Sequence, residues 1–195
     1  SRVSKIAKEL NKVQKIYLRL TPGVDAHTHE FISTAHEDVK FGFSIASGAA
    51  QDAIENCMAQ SSLSLAGIHC HIGSQIFEVD GFNLAAKRLV AVLATFRDKY
   101  AKELPELNIG GGYGIAYTKE ETAIAPELVI PAIAAVIKEE CAKAKLAIPR
   151  ISIEPGRAIV GPTTTTIYLV GTTKSVTLDN GSERRYVSVD GGMSE

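Results

Sequence analysis

The sequence predicts an α/β fold, with parallel strands backed by helices, that gives way to a short all-β region. Three observations carry this expectation. Between residues 15 and 155, short β-rich runs alternate with helical patterns. Polar residues gather where successive strands end. After Gly161 the helical periodicity stops, and Thr and Val dominate. Repeated β–α–β crossovers demand parallel strands with helices outside, as in a barrel or a doubly wound sheet.

The elements follow in order. The N-terminal SRVSKIAKEL is a charged helical pattern, and KIYLRL (15–20) is the first strand. SGAAQDAIENCMAQ (47–60) predicts a helix with Ser47 as N-cap and Ala50, Ile54, Cys57 and Met58 along one face. LAGIHCHI (65–72) is the second strand. Residues 82–104 form the clearest helix, because Ala85, Leu89, Val92, Phe96 and Tyr100 make an apolar stripe at helical spacing. ELNI (106–109) is the third strand. A helix is expected within 126–146, where Pro126 suits a first turn and Pro131 implies a kink or a late start. RISIEP (150–155) is the fourth strand. Beyond Gly161, DNGSE (179–183) supplies a turn between two strands.

Composition excludes several function classes. The 195 residues suffice for one domain and part of a second. Lys and Arg total 21 against 22 for Asp and Glu, a net charge of -1, so neither nucleic acid nor an anionic membrane is a natural partner. No apolar run approaches the roughly 18 residues of a membrane span. Cys57, Cys70 and Cys141 are far apart and odd in number. They fit neither a disulfide framework nor a zinc site, and are expected as reduced core thiols of a cytoplasmic protein.

The chemistry-bearing residues sit at strand ends, which form the ligand-binding rim of parallel α/β folds. His69 and His71, followed by Gly73, Ser74 and Gln75, close the second strand. Gly110, Gly111 and Gly112 close the third, and Glu154, Pro155, Gly156 and Arg157 the fourth. Consecutive glycines expose bare amides that suit a phosphate, although a turn needing positive φ would also use glycine. The run matches neither the Rossmann fingerprint nor a Walker loop. Two residues apart on a strand, the histidines point the same way, as metal ligands, as a ring lying on an aromatic cofactor, or as satisfied core histidines. Glu154 and Arg157 form an internal ion pair or both face a ligand.

Four ordered motifs, IHCHIGSQ (68–75), LNIGGGYG (107–114), ISIEPGRAIVG (151–161) and VSVDGGMS (187–194), resemble the diaminopimelate decarboxylase family. These are pyridoxal 5'-phosphate enzymes of the alanine-racemase-like barrel fold. The segment 22–43, PGVDAHTHEFISTAHEDVKFGF, is similar to that family too. The resemblance implies that residues 1–161 are the second half of a (β/α)8 barrel and 162–195 the opening of a C-terminal β-domain. It implies that His71 stacks on the cofactor ring and that Ser74 with the backbone of Gly110, Gly111 and Gly112 holds its phosphate. Glu154 would pair with the pyridine nitrogen, flanked by Pro155 and Gly156. Arg157 would bind phosphate or a substrate carboxylate, and Arg19 lie near the cofactor. Glu154 and His71 are then the catalytic candidates. The implied reaction converts meso-2,6-diaminopimelate to L-lysine and CO2 in a homodimer with a shared active site.

Within the resemblance, ornithine decarboxylases have a different histidine motif and arginine decarboxylases usually lack the EPGR form, so diaminopimelate is favoured over these alternative substrates. No lysine lies in the family's cofactor-binding motif; Lys40 and Lys87 stand in other contexts. The family's C-terminal Cys-Glu-Ser segment is also absent, and MSE stands where the family more often has Asp after MS. A fragment of a larger enzyme is therefore expected, inactive by itself; were the chain complete, it would be a non-catalytic module binding the cofactor or phosphate. Half a barrel should have two open edges and an exposed apolar interior.

Overall fold

The computed structural model describes residues 1–24 and 40–192. Most of the family-like segment 22–43, with its three histidines, and the last residues of VSVDGGMS lie outside them. The chain divides into two compact units, Ser1–Pro162 and Thr163–Glu195.

The first unit opens with α1 (Arg2–Glu9), whose N-cap Ser1 side chain accepts from the Ser4 amide. There follow β1 (Gln14–Thr21), β2 (Phe43–Ser44), α2 (Ala49–Met58), β3 (Leu63–His69) and α3 (Asp80–Tyr100). Next come β4 (Glu106–Asn108), α4 (Pro126–Lys143), β5 (Arg150–Ser152) and the short α5 (Gly156–Val160). The described strands form one sheet in the order β2-β1-β3-β4-β5, and every neighbouring pair is parallel. The crossovers through α2, α3 and α4 join strands as the alternation predicted.

Several boundaries differ from expectation, each for a local reason. Gly48, not Ser47, is the N-cap of α2, because it adopts the left-handed φ of 84° that the entry turn requires. The Ser47 hydroxyl still accepts from the Ala49 amide at 3.4 Å. β3 starts two residues early and stops at His69, so His71 lies beyond the ladder. α3 ends at Tyr100, where Ala101 turns left-handed. Pro131 sits inside α4 rather than delaying its start. Neither β2, two residues long, nor α5 was expected, because elements this short show no periodicity.

Register explains where the core sits. Leu18, Ile68, Leu107 and Ile151 align across β1, β3, β4 and β5, and Ile68 and Leu107 are wholly buried. With Leu20, Cys70 and Ile109 they pack against Ile54, Phe82, Leu89, Phe96, Ile133 and Ile137 of the helices. The opposite face alternates with this one. It carries the rung Tyr17–Gly67–Glu106–Arg150 and, one step towards the strand ends, the rung Arg19–His69–Asn108–Ser152. Tyr17 and Arg150 both donate to the Glu106 carboxylate, which lowers its pKa. A Cβ on Gly67 would lie 2.2 Å from the Glu106 carbonyl oxygen, so only glycine fits between. The expected apolar interior is thus corrected: over these strands the inner face is polar, and the apolar core lies between sheet and helices.

The second unit is a hairpin of β6 (Val170–Thr177) and β7 (Glu183–Val189), antiparallel as DNGSE predicted. Leu178 donates to Ser182 at 2.8 Å, and Gly181 takes a φ of 80°. Nearly all its side chains are exposed. Among the described residues no helix is long and apolar enough to cross a membrane.

Candidate functional site

Strand alternation delivers Arg19, His69 and Asn108 to one rung, and the chain leaving β5 brings Glu154 over it. Glu154 Oε2 lies 3.4 Å from His69 Nε2, and Asn108 Nδ2 donates to Glu154 Oε1 at 2.9 Å. Each carboxylate oxygen therefore has its own partner on a different strand. Glu154 pairs with His69, so an internal Glu154–Arg157 ion pair is not what forms. Asn108 carries no signal of its own in the sequence, where it precedes the glycine run as an ordinary neutral amide. Its Oδ1 accepts from the Gly110 amide at 2.8 Å, which leaves its NH2 for the carboxylate.

The glycine run has a steric cause at every position. A Cβ on Gly110 would lie 2.1 Å from the Cys70 carbonyl oxygen, one on Gly111 2.3 Å from that of Glu154, and one on Gly112 2.3 Å from that of Gly73. The loop is wedged between the strand-end backbones on either side, with the Glu154 amide donating to the Gly110 carbonyl at 2.9 Å. The amides of Gly110 and Gly111 are already engaged, the first by Asn108 and the second by His71 Nδ1 at 3.4 Å.

Beside this loop lies a cavity of about 280 Å³ lined by His71, Ser74, Gly112, Tyr113, Glu154, Pro155, Gly156 and Arg157. Seven of these eight are sequence candidates; Gly110 and Gly111 are not in the lining. Tyr113 is the addition. Its ring stacks on Phe82 at 4.7 Å, and burial pushes its hydroxyl pKa up to about 12. The pKa of His71 is lowered, first by partial burial of the ring and then by the positive charges of Arg19 and His69, against the pull of Glu154. An accepting Nδ1 requires the same neutral imidazole. Arg19 sits 5.0 Å above the Phe41 ring, within electrostatic reach of His71. Burial raises the Cys70 thiol to about 12, so it is a core group and no nucleophile.

The family model for the pyridoxal-binding domain of pyridoxal-dependent decarboxylases matches residues 1–161. The chain belongs to the pyridoxal-dependent decarboxylases. Among relatives in this family, the diaminopimelate decarboxylase of Corynebacterium efficiens is 48% identical over 97% of this chain and 41% of its own length. That of Bacillus subtilis is 43% identical over 97% of this chain and 42% of its own. The crystal structure of the M. jannaschii diaminopimelate decarboxylase with L-lysine superposes with a TM-score of 0.77 at 29% identity, covering 97% of this chain and 42% of that one. The Helicobacter pylori enzyme complexed with L-lysine gives 0.73 at 27%, covering 97% and 44%. The chain thus spans about two fifths of the length of these relatives.

The pyridoxal-dependent decarboxylase cofactor is a pyridine bearing a phosphate, and the cavity's groups suit both ends. A carboxylate held by two neighbours suits a protonated ring nitrogen, and a neutral imidazole suits a ring face. The Ser74 hydroxyl, the Gly112 backbone and the Arg157 guanidinium suit an oxyanion.

Proposed function

We propose that the chain is the part of a meso-diaminopimelate decarboxylase that grips pyridoxal 5'-phosphate, within an enzyme that yields L-lysine and CO2. The observation that carries this reading is Glu154, clamped by His69 and Asn108 at the edge of a cavity it shares with His71, Ser74 and Arg157. The naming of the relatives as diaminopimelate decarboxylases supports the substrate.

Bound in this cavity, the cofactor supplies a sink for the electron pair that departing CO2 leaves behind. The chain's own residues set the conditions for it. Glu154 holds a proton on the ring nitrogen, because a carboxylate there favours the charged form. His71, kept neutral, covers the ring face without adding a competing charge. Ser74, Gly112 and Arg157 hold the phosphate, with Arg157 alternatively on a substrate carboxylate. Gly110 and Gly111 act by letting the loop pass between the strand ends, with Pro155 and Gly156 closing the rim.

We further read residues 1–161 as the second half of a (β/α)8 barrel and 162–195 as the opening of a β-domain. On this reading the family's cofactor-binding lysine would lie elsewhere in a longer, cytoplasmic protein that works as a homodimer with a shared site. The deciding experiment measures CO2 release from diaminopimelate, ornithine and arginine by the longer enzyme and its Glu154→Ala variant. Wild-type turnover of diaminopimelate is expected to fall by about 100-fold or more in the variant, with circular dichroism unchanged. Turnover of ornithine or arginine in place of diaminopimelate would overturn the substrate, and an unaffected variant the role of Glu154.

A further inference from the structure

We infer that Gln75 is a positioning residue that aims the Arg157 guanidinium into the cavity as an oxyanion ligand. The Gln75 amide makes a two-point contact with the backbone of Ile115. Its Nε2 donates to the Ile115 carbonyl at 2.8 Å, and its Oε1 accepts from the Ile115 amide at 3.0 Å. A carbonyl can only accept and an N–H can only donate, so this contact settles which end of the side chain is oxygen. One lone pair of Oε1 remains, and Arg157 Nη1 donates into it at 3.2 Å.

The backbone at Gln75 points the same way. Its φ of 56° is left-handed, an uncommon state for a residue with a side chain. The other described non-glycine residues with positive φ, Asn11, Ala101 and Lys145, each follow the end of a helix. Gln75 alone among them sits in the loop beside the cavity, and such strain persists where surroundings over-determine it. Ile115 anchors both sides of the contact. Its side chain also leaves only 2.4 Å for a Cβ at Gly161, so the residue that clamps Gln75 also seats the end of α5, which carries Arg157. Among the described residues Arg157 has no carboxylate partner, so a guanidinium steered by a neutral amide keeps its charge for a ligand. The ligand chemistry is an oxyanion: the cofactor's phosphate or a substrate carboxylate. This inference rests on the decarboxylase reading for those two identities.

The test is a double-mutant cycle in the full-length protein with Gln75→Met, Arg157→Met and both together. Calorimetry of the apoprotein with inorganic phosphate reads the first source. Each single variant is expected to weaken phosphate about tenfold, and the double variant no further than Arg157→Met alone. If the ligand is the substrate carboxylate, phosphate affinity stays constant. The same non-additive pattern then appears in KM for diaminopimelate, with kcat changed less than about threefold. Gln75→Glu, which keeps the side chain's size, is a second variant. Its carboxylate competes for Arg157, and it too should weaken the anion. Effects that multiply in the double variant, or a Gln75→Met as tight as wild type in both assays, would overturn the inference; so would a silent Arg157→Met. Decarboxylation by wild type and its loss in Glu154→Ala are followed separately. An additive cycle with those intact sinks the positioning role alone, and a non-additive phosphate cycle without decarboxylation sinks the activity alone.

Discussion

His71 shows how one residue's surroundings choose its chemistry. Its ring is partly buried, Arg19 and His69 add positive charge nearby, and its Nδ1 accepts from the Gly111 amide. All of these disfavour the imidazolium. The folded pKa therefore lies below the unfolded one, and the stability tied to the neutral ring is present above about pH 6.5. It is lost as the pH falls from there through the folded pKa. An NMR titration of the His71 ring should give a midpoint below the ordinary value, and Arg19→Met should move it upward. A midpoint at or above the ordinary value would contradict the described surroundings.

At the level of elements, the chain's backbones approach closely where β4 hands over to the glycine loop. Gly111→Ala forces the loop away from the Glu154 carbonyl, so it should displace the end of β5 and cut turnover more than stability. Thermal unfolding and CO2 release on the same variant check this. Leu107→Ala, in the wholly buried middle of β4, should do the reverse, costing about 2–5 kcal/mol in urea unfolding with cofactor contacts intact. The helices and long strands were legible in the sequence because periodicity accumulates over many residues, as along Ala85, Leu89 and Phe96. The site's outline was legible because Glu154, His71 and the glycines are unusual at strand ends. Asn108 escaped and Gln75 carried no role of its own, because a neutral amide looks like any loop residue until its partners are known. So did the polar inner face, since its rungs are assembled from four separate strands whose register no local pattern encodes.

For the whole molecule, the two units differ in how they are held together. The first has a continuous core between sheet and helices, whereas β6 and β7 bury almost nothing. An isolated two-stranded hairpin is marginal in water, so a peptide of residues 163–195 should show little β-structure by circular dichroism. A folded peptide would refute that. The polar rung Arg19–His69–Asn108–Ser152 has a different consequence, for how freely the protein can change. Cohesion comes from the outer face of the sheet, so the inner rung contributes little to holding the fold. Random substitution at those four positions should leave most variants folded while altering what they bind. The scaffold and its chemistry are separately mutable, and a laboratory or a lineage could rewrite the second without rebuilding the first.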